Sequence, residues 1–362
     1  MPNLPRHSPY ALPEPATPAQ LDALLHELDI YPPGPVQYEL VSEWAAKHVW
    51  RVDVGGEPWA YVRSLLGPAD LFPERWRHLR LSVLLYEEGV GPEVLGLSEA
   101  SRALGGRAVM VEAALRPIER DELEARAEEA IQLFARLHGS AAIRRELKAA
   151  RTGDEWERER PLRRHFREAR ERWFEAVVER WLAAGLGVIN DLTEVVGDLF
   201  NRLEEVECCT EPVNRVVPTH NDPNAGNFML DPQGELRLID FENLALDNPV
   251  ADLGLFLTWF VDPPRYADML QHYPHASPEA LLERMAVWVP LRYMEIAAHW
   301  AARLTRARTA QDWDFALKSV DEWLRGALEI VYGGVIPTRL DARLRAVTAS
   351  LAGRGPLPPA EA

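Results

Sequence analysis

The hydrophobic period of the chain changes to 3.6 after Pro117, and that change constrains the fold most. From Tyr38 to about Leu115 apolar residues alternate in short β-branched and aromatic runs; beyond it they recur every three or four residues. Val49–Val54 and Trp59–Arg63 read as strands, with Gly55-Gly56-Glu57-Pro58 as the turn of a hairpin. A helix over Pro73–Glu88 is closed by Gly89, and two more strands are expected at Glu93–Leu97 and Arg107–Val111. Leu123, Ala127, Ala130, Phe134 and Leu137 then mark one face of a charged helix, with further helices over Asp154–Ala184, Leu192–Glu207 and, broken at prolines, 263–350. Strands followed by helices, not strands alternating with helices, predict an α+β fold with a small antiparallel sheet. At 362 residues one core is strained, so two domains, or one domain with two lobes, are expected: 37–115, the sheet with its helix, and 116–350, mostly helical. Nine of the 29 prolines fall within residues 1–36, which predicts an extended arm interrupted by one short helix, Pro18–Leu28. Residues 351–362 read as a frayed tail.

Charge narrows the partners. Forty Lys+Arg against 56 Asp+Glu leave −16, so phosphodiester backbones and anionic membrane surfaces are repelled. Nucleic acid and membrane are therefore not expected as partners, whereas cations and metal ions are. Cys208 and Cys209 are adjacent and the only two cysteines, which builds neither a disulfide framework nor a zinc site. No basic segment precedes an apolar run at the N-terminus, and the stretch around Leu253–Val261 is too short to span a bilayer. The expectation is a cytoplasmic protein.

Between the helical blocks lies one strand-and-loop segment, and it carries the chemistry. His220-Asn221-Asp222-Pro223-Asn224-Ala225-Gly226-Asn227 has the pattern H-x-D-x-x-x-x-N. After a turn at Asp231-Pro232-Gln233-Gly234 and the strand Leu236–Ile239 comes Asp240-Phe241-Glu242, with Asp240 thirteen residues beyond Asn227. Phosphoryl transfer asks for this grouping. One carboxylate must orient a hydroxyl and accept its proton, while a second carboxylate and an amide oxygen hold Mg²⁺ against a triphosphate.

These residues resemble the catalytic and metal loops of the aminoglycoside phosphotransferase and choline kinase group. Ala135-Arg136-Leu137-His138 resembles the end of that group's first long C-lobe helix. Gly89-Val90-Gly91-Pro92-Glu93-Val94-Leu95 resembles its turn into the fourth strand, and Asp247-Asn248-Pro249-Val250-Ala251-Asp252-Leu253-Gly254 the segment after the metal aspartate. Together they cover roughly residues 45–260. The resemblance implies a bilobal protein-kinase-like fold with loops at 216–254, and an ATP- and Mg²⁺-dependent kinase acting on a hydroxyl of a small molecule. It implies Asp222 as base, Asn227 and Asp240 as Mg²⁺ ligands, and His220 and Asp252 as supports of the site. Glu112 and Ala114 fall where the inter-lobe hinge offers backbone groups to adenine, and Arg63 stands in place of the phosphate-binding lysine. The loop Ser42–His48 lacks a glycine fingerprint, but Ser42 and Lys47 are its nucleotide-side candidates. Glu74 is the candidate helix carboxylate for Arg63, one turn before the place His78 holds.

The acceptor is less legible. Ser277-Pro278-Glu279 is explained by helix capping, and the loop lacks the Arg of the H-R-D pattern, so a protein kinase is not expected. Glu242 is a substrate-side candidate, and between Gly185 and Asp262 there are 15 carboxylates against three arginines, which favours a cationic acceptor such as choline, another amino alcohol or an aminoglycoside. The aromatics after 255, among them Trp259, Tyr293 and Trp323, are read as core before they are read as a cation cage, and Glu295 as the partner of Arg292 on a solvated face. A pseudokinase module that binds nucleotide without catalysis is the alternative, motivated by the missing glycine loop, Arg63 and the displaced Glu74.

Overall fold

The computed structural model describes residues 14–44, 47–68, 75–149, 161–209 and 216–356. The chain divides into two units, residues 1–152 with 220–246, and 153–219 with 247–362. Glu74, residues 1–13 of the arm, residues 150–160 and the end of the tail lie outside the described residues.

The first unit begins with α1 (Pro18–Glu27), whose Thr17 and Gln20 form a reciprocal capping box with Pro18 in the first turn. Five strands follow: β1 (Val36–Trp44), β2 (Lys47–Val54), β3 (Glu57–Pro68), then β4 (Val94–Ser101) and β5 (Arg107–Ala113) after helix α2 (Arg75–Glu87). They pair antiparallel in the order β1-β2-β3-β5-β4. Gly55 and Gly56, both at positive φ, make the β2–β3 turn, since type I′ geometry requires two such residues. The two-residue side-chain period assigns each strand two jobs. Trp50, Val52, Ala60, Val62, Val109 and Val111 point to one face and bury against Leu21, Leu24 and Leu25 of α1. Leu79 of α2 packs with Ala108 and Met110 on another small core. The helix in the proline-rich arm is thus part of the core. Its Glu27 carboxylate accepts from the Ala103 and Arg102 N–H groups at 2.9 and 3.0 Å, and these bonds, the Ala103 bond foremost, hold Glu27 below the usual carboxylate range.

Gly89 ends the α2 segment at φ 67°, and the turn continues into the first unit's second sheet through Leu238 N–H to Val90 C=O, 2.8 Å. That sheet pairs Arg116–Pro117, Phe228–Leu230 and Leu236–Leu238. The helix expected from Leu123 to Leu137 is two, α3 (Arg120–Ala125) and α4 (Ala127–Gly139), joined at Arg126, whose guanidinium donates to Gly234 C=O at 2.8 Å. The apolar face is continuous across the joint, with Leu123, Ala127, Ala130, Phe134 and Leu137 all buried.

The second unit is built on the helix Pro278–Leu304, capped by Ser277 with Pro278 in the first turn. It runs through Pro290, contrary to the expected proline break; Trp288, Val289 and Leu291 around that residue are buried, so packing maintains the helix where local geometry disfavours it. Trp173 and Trp181 donate to Met294 and Ala301 carbonyls of this helix, each at 2.9 Å. The expected Asp154–Ala184 helix is described from Pro161 and carries a π-helical stretch over Arg172–Val178. Among the described residues no helix is long and apolar enough to cross a membrane.

Candidate active site

His220, fully buried, ties the loop to the strand end: its Nε2–H donates to Ile239 C=O at 2.8 Å, and Nδ1 accepts from Asp222 N–H at 3.3 Å. The Phe241 ring packs edge-on against it, centroids 5.1 Å apart. Asn221 takes φ 65°, a conformation Asn tolerates better than most residues, and its amide donates to Asn243 C=O at 3.1 Å. Asn224 Nδ2 donates to one carboxylate oxygen of Asp222 at 2.9 Å. Asn227 Nδ2 donates to Asp222 C=O, also at 2.9 Å, which leaves its Oδ1 as the end of the amide that can accept from or ligate another group. Ile239 N–H donates to Asn227 C=O at 3.0 Å, so the strand end carrying Asp240 is bonded to the loop carrying Asp222.

Asp240 sits in the left-handed region at φ 62°, ψ 57°, at the head of the short 3₁₀ turn Phe241–Asn243, and its side chain makes no bond to that turn. Its carboxylate is exposed. An exposed carboxylate and an oriented amide oxygen are hard donors, and the set fits Mg²⁺, which keeps most of its shell for water and phosphate.

A cleft of about 350 Å³ opens beside these groups, wholly within the first unit. Asn227, Met229, Ile239 and Asp240 line it together with Ser42, Lys47, Val49, Tyr61, Arg63, Pro92, Glu112, Ala113 and Leu115. Sheet parity explains the choice: Val49, Tyr61, Arg63 and Glu112 alternate with residues of the α1 core, so the face opposite α1 supplies the wall. Two ion pairs stand at this wall. Arg63 Nε lies 2.6 Å from a Glu112 carboxylate oxygen, and Lys47 pairs with Glu242. Burial pushes the Glu112 carboxyl up, while Arg63 and Lys47 hold it back.

The structure therefore brings Ser42, Lys47, Arg63, Glu112, Asn227 and Asp240 to one cleft, with Asp222 and His220 bonded to its floor. Ala114 is not among the described lining residues; its N–H donates to Trp59 C=O at 2.9 Å. Glu242 holds Lys47. Asp252 is buried in the first turn of the helix Val250–Phe260 of the second unit, and Asn248 Oδ1, before that helix, accepts from Val250 N–H at 3.1 Å. Among the aromatics, Trp288 and Trp313 are core, and Trp259 and Tyr293 pack edge-on to Trp323 at 6.0 and 4.8 Å. Glu295 does pair with Arg292, but the face is buried, not solvated: Glu295 is 3% exposed and lies 3.2 Å from His165, whose other nitrogen is 2.7 Å from Asp247.

Sequence reasoning missed Asn224 and Asn221, which orient the loop, and the carboxylate of Glu112. Asn before an Asp in a loop is a turn signal that could have flagged Asn221; the Arg63–Glu112 contact depends on the strand register.

The sequence model of the phosphotransferase enzyme family matches residues 37–288. Among solved structures, a Plasmodium vivax ethanolamine kinase superposes with a TM-score of 0.56 at 12% identity, covering 88% of this chain and 89% of that one. A spectinomycin phosphotransferase in complex with ADP and spectinomycin gives 0.56 at 14% identity, covering 90% and 99%. A choline/ethanolamine kinase family protein from Mesorhizobium loti gives 0.51 at 16% identity, covering 91% and 99%. These likenesses show the protein-kinase-like fold, with an antiparallel sheet in the N-terminal part and helices in the C-terminal part.

Proposed function

Because the chain belongs to the phosphotransferase enzyme family and is a small-molecule kinase, we propose that it moves the terminal phosphoryl group of ATP, bound with Mg²⁺, to a hydroxyl of a small cationic molecule such as an amino alcohol or an aminoglycoside. One observation carries this: Asp222, Asn227 and Asp240 meet in one hydrogen-bonded pair of loops beside a cleft lined by Lys47 and Arg63. Family membership favours an enzyme over a silent nucleotide-binding module.

In this reading residues 37–115 form the nucleotide-side lobe. Arg63 and Lys47 bind phosphate oxygens, and Asn227 Oδ1 with the Asp240 carboxylate holds Mg²⁺. When bound, Mg²⁺ would offset the charge that develops on the phosphates. Asp222 orients the acceptor hydroxyl and takes its proton; Asn224 holds one of its carboxylate oxygens, which leaves the other for the acceptor. Little covalent chemistry falls to the protein, so the rate comes from positioning and electrostatics.

A cationic acceptor is supported by the acidity of residues 185–262 and by the ethanolamine, spectinomycin and choline/ethanolamine named for the similar structures. ADP release should be screened across choline, amino alcohols, aminoglycosides, sugars and nucleosides. Turnover with amines is expected; turnover confined to uncharged sugars or nucleosides would remove the cationic acceptor. Asp222→Asn should lose roughly 10²–10⁴ in kcat while still binding ATP, the range of a general base. Near-normal turnover in that variant would remove Asp222 from its role.

A further inference from the structure

We propose that Glu112 is the positioning residue for Arg63: its buried carboxylate, projecting from a strand, orients the guanidinium that meets the nucleotide phosphates. The proposal rests on the kinase reading above. In the β3–β5 register Arg63 stands opposite Met110, so Glu112, two residues on, is its diagonal neighbour on the cleft face. The Nε–carboxylate distance is 2.6 Å, and the Glu112 side chain is 6% exposed against 28% for Arg63. The contact is an ion pair at Nε rather than an aligned hydrogen bond, and it leaves the terminal nitrogens of the fork for phosphate oxygens, a placement that a lone guanidinium on a flexible stem would adopt only part of the time.

A carboxylate buried this deeply beside a nucleotide cleft is costly to retain without a task, because desolvation disfavours its charged form. Its counterpart differs. Lys47 and Glu242 are 23% and 44% exposed, and an exposed pair of that kind contributes little. Lys47 can exchange Glu242 for phosphate, whereas Arg63 stays oriented by Glu112.

The competing role for Glu112 is recognition of the base through its carboxylate. Calorimetric titration of wild type and Glu112→Gln with Mg²⁺–ATP, ADP and adenosine separates the two, with thermal melts alongside. The substitution should weaken ATP and ADP binding roughly tenfold or more, the loss expected of a charge-assisted contact, and leave adenosine within twofold. The melting temperature of the ligand-free protein should stay level or rise, since a desolvated charge has been removed. In an Arg63→Gln background the same change should alter ATP binding less than twofold, because no guanidinium remains to be oriented. Equal losses for adenosine and ATP would overturn the proposal in favour of base recognition. Unchanged ATP binding, or a fall in melting temperature with equal loss of every ligand, would also overturn it. A wild-type protein that binds neither ATP nor ADP would refute the kinase reading itself.

Discussion

At the residue scale, the site is assembled from short polar side chains placed where backbone conformation is unusual. Asn221 and Asp240 both take positive φ, which Asn and Asp tolerate and β-branched residues do not; the Asn221 amide reaches across to Asn243 of the other loop, and Asp240 lines the cleft. The oxygens of Asp222, Asn227 and Asp240 were legible because their spacing along the chain is short. The residues that hold other charges in place were not. Arg63 and Glu112 are 49 positions apart, and His165 meets a carboxylate 130 positions away. That second cluster makes a pH prediction. Burial alone would lower His165, but its bonds to Asp247 and Glu295 outweigh it and lift the group to about 9. Burial alone would raise Glu295, but Arg292, with His165, brings it down to about 2. The raised histidine contributes stability in full below its ordinary 6.5, and loses it as pH rises through about 9. The lowered glutamate contributes in full above its ordinary 4.5, and loses it as pH falls through about 2. Thermal melts from pH 3 to 10 should therefore show this cluster's full contribution between about 4.5 and 6.5, and His165→Gln should flatten the alkaline limb. An unaltered alkaline limb in that variant would show that His165 does not set it.

At the scale of elements, period and punctuation predicted type well and continuity poorly. The β2–β3 hairpin, the glycine stop at Gly89 and the capped start at Ser277 follow from local chemistry that any context would respect. Continuity depends on neighbours. Pro290 does not break its helix because the surrounding turns are buried, while the expected helix over Leu123–Leu137 does break, at Arg126. The arm's short helix could be recognised from Leu21, Leu24 and Leu25, but not its seat against the sheet. Close approach is a further case. A Cβ on Gly254, in the helix Val250–Phe260, would lie 2.8 Å from a Val289 methyl and 3.1 Å from one of Val250. Gly254→Ala should cost about 1–3 kcal/mol by overpacking, in spite of alanine's better helix propensity. Denaturant unfolding measures this; a gain in stability would mean that the two helices separate readily.

At the scale of the whole molecule, charge and cleft act together. The net −16 is concentrated around residues 185–262, the stretch that includes Asp222, Asp240 and Glu242. A triphosphate entering the cleft would meet Lys47 and Arg63 together with the carboxylates of Glu112 and Asp240 that also line it, so a bound cation would be needed to offset the remaining repulsion. ATP at a hundred times its Kd should therefore stabilise the protein by about 2.7 kcal/mol in Mg²⁺ and far less in EDTA. Melting curves with and without the chelator decide it, and equal shifts would remove Mg²⁺ from the nucleotide site.

What the sequence determined by itself was the class of fold and the kind of chemistry. Both are written in local terms: a period of two or of 3.6, a glycine stop, and the oxygen-bearing side chains of Asp222, Asn227 and Asp240 spaced along one short segment. Tertiary structure decided which charges meet and what a helix must avoid. Strand register sets the Glu112 carboxylate beside Arg63, helix crossing leaves little room for a Cβ at Gly254, and the charged partners buried with them move His165 and Glu295 away from their ordinary ranges. Each of these depends on distances between residues far apart in the chain, which no local pattern encodes.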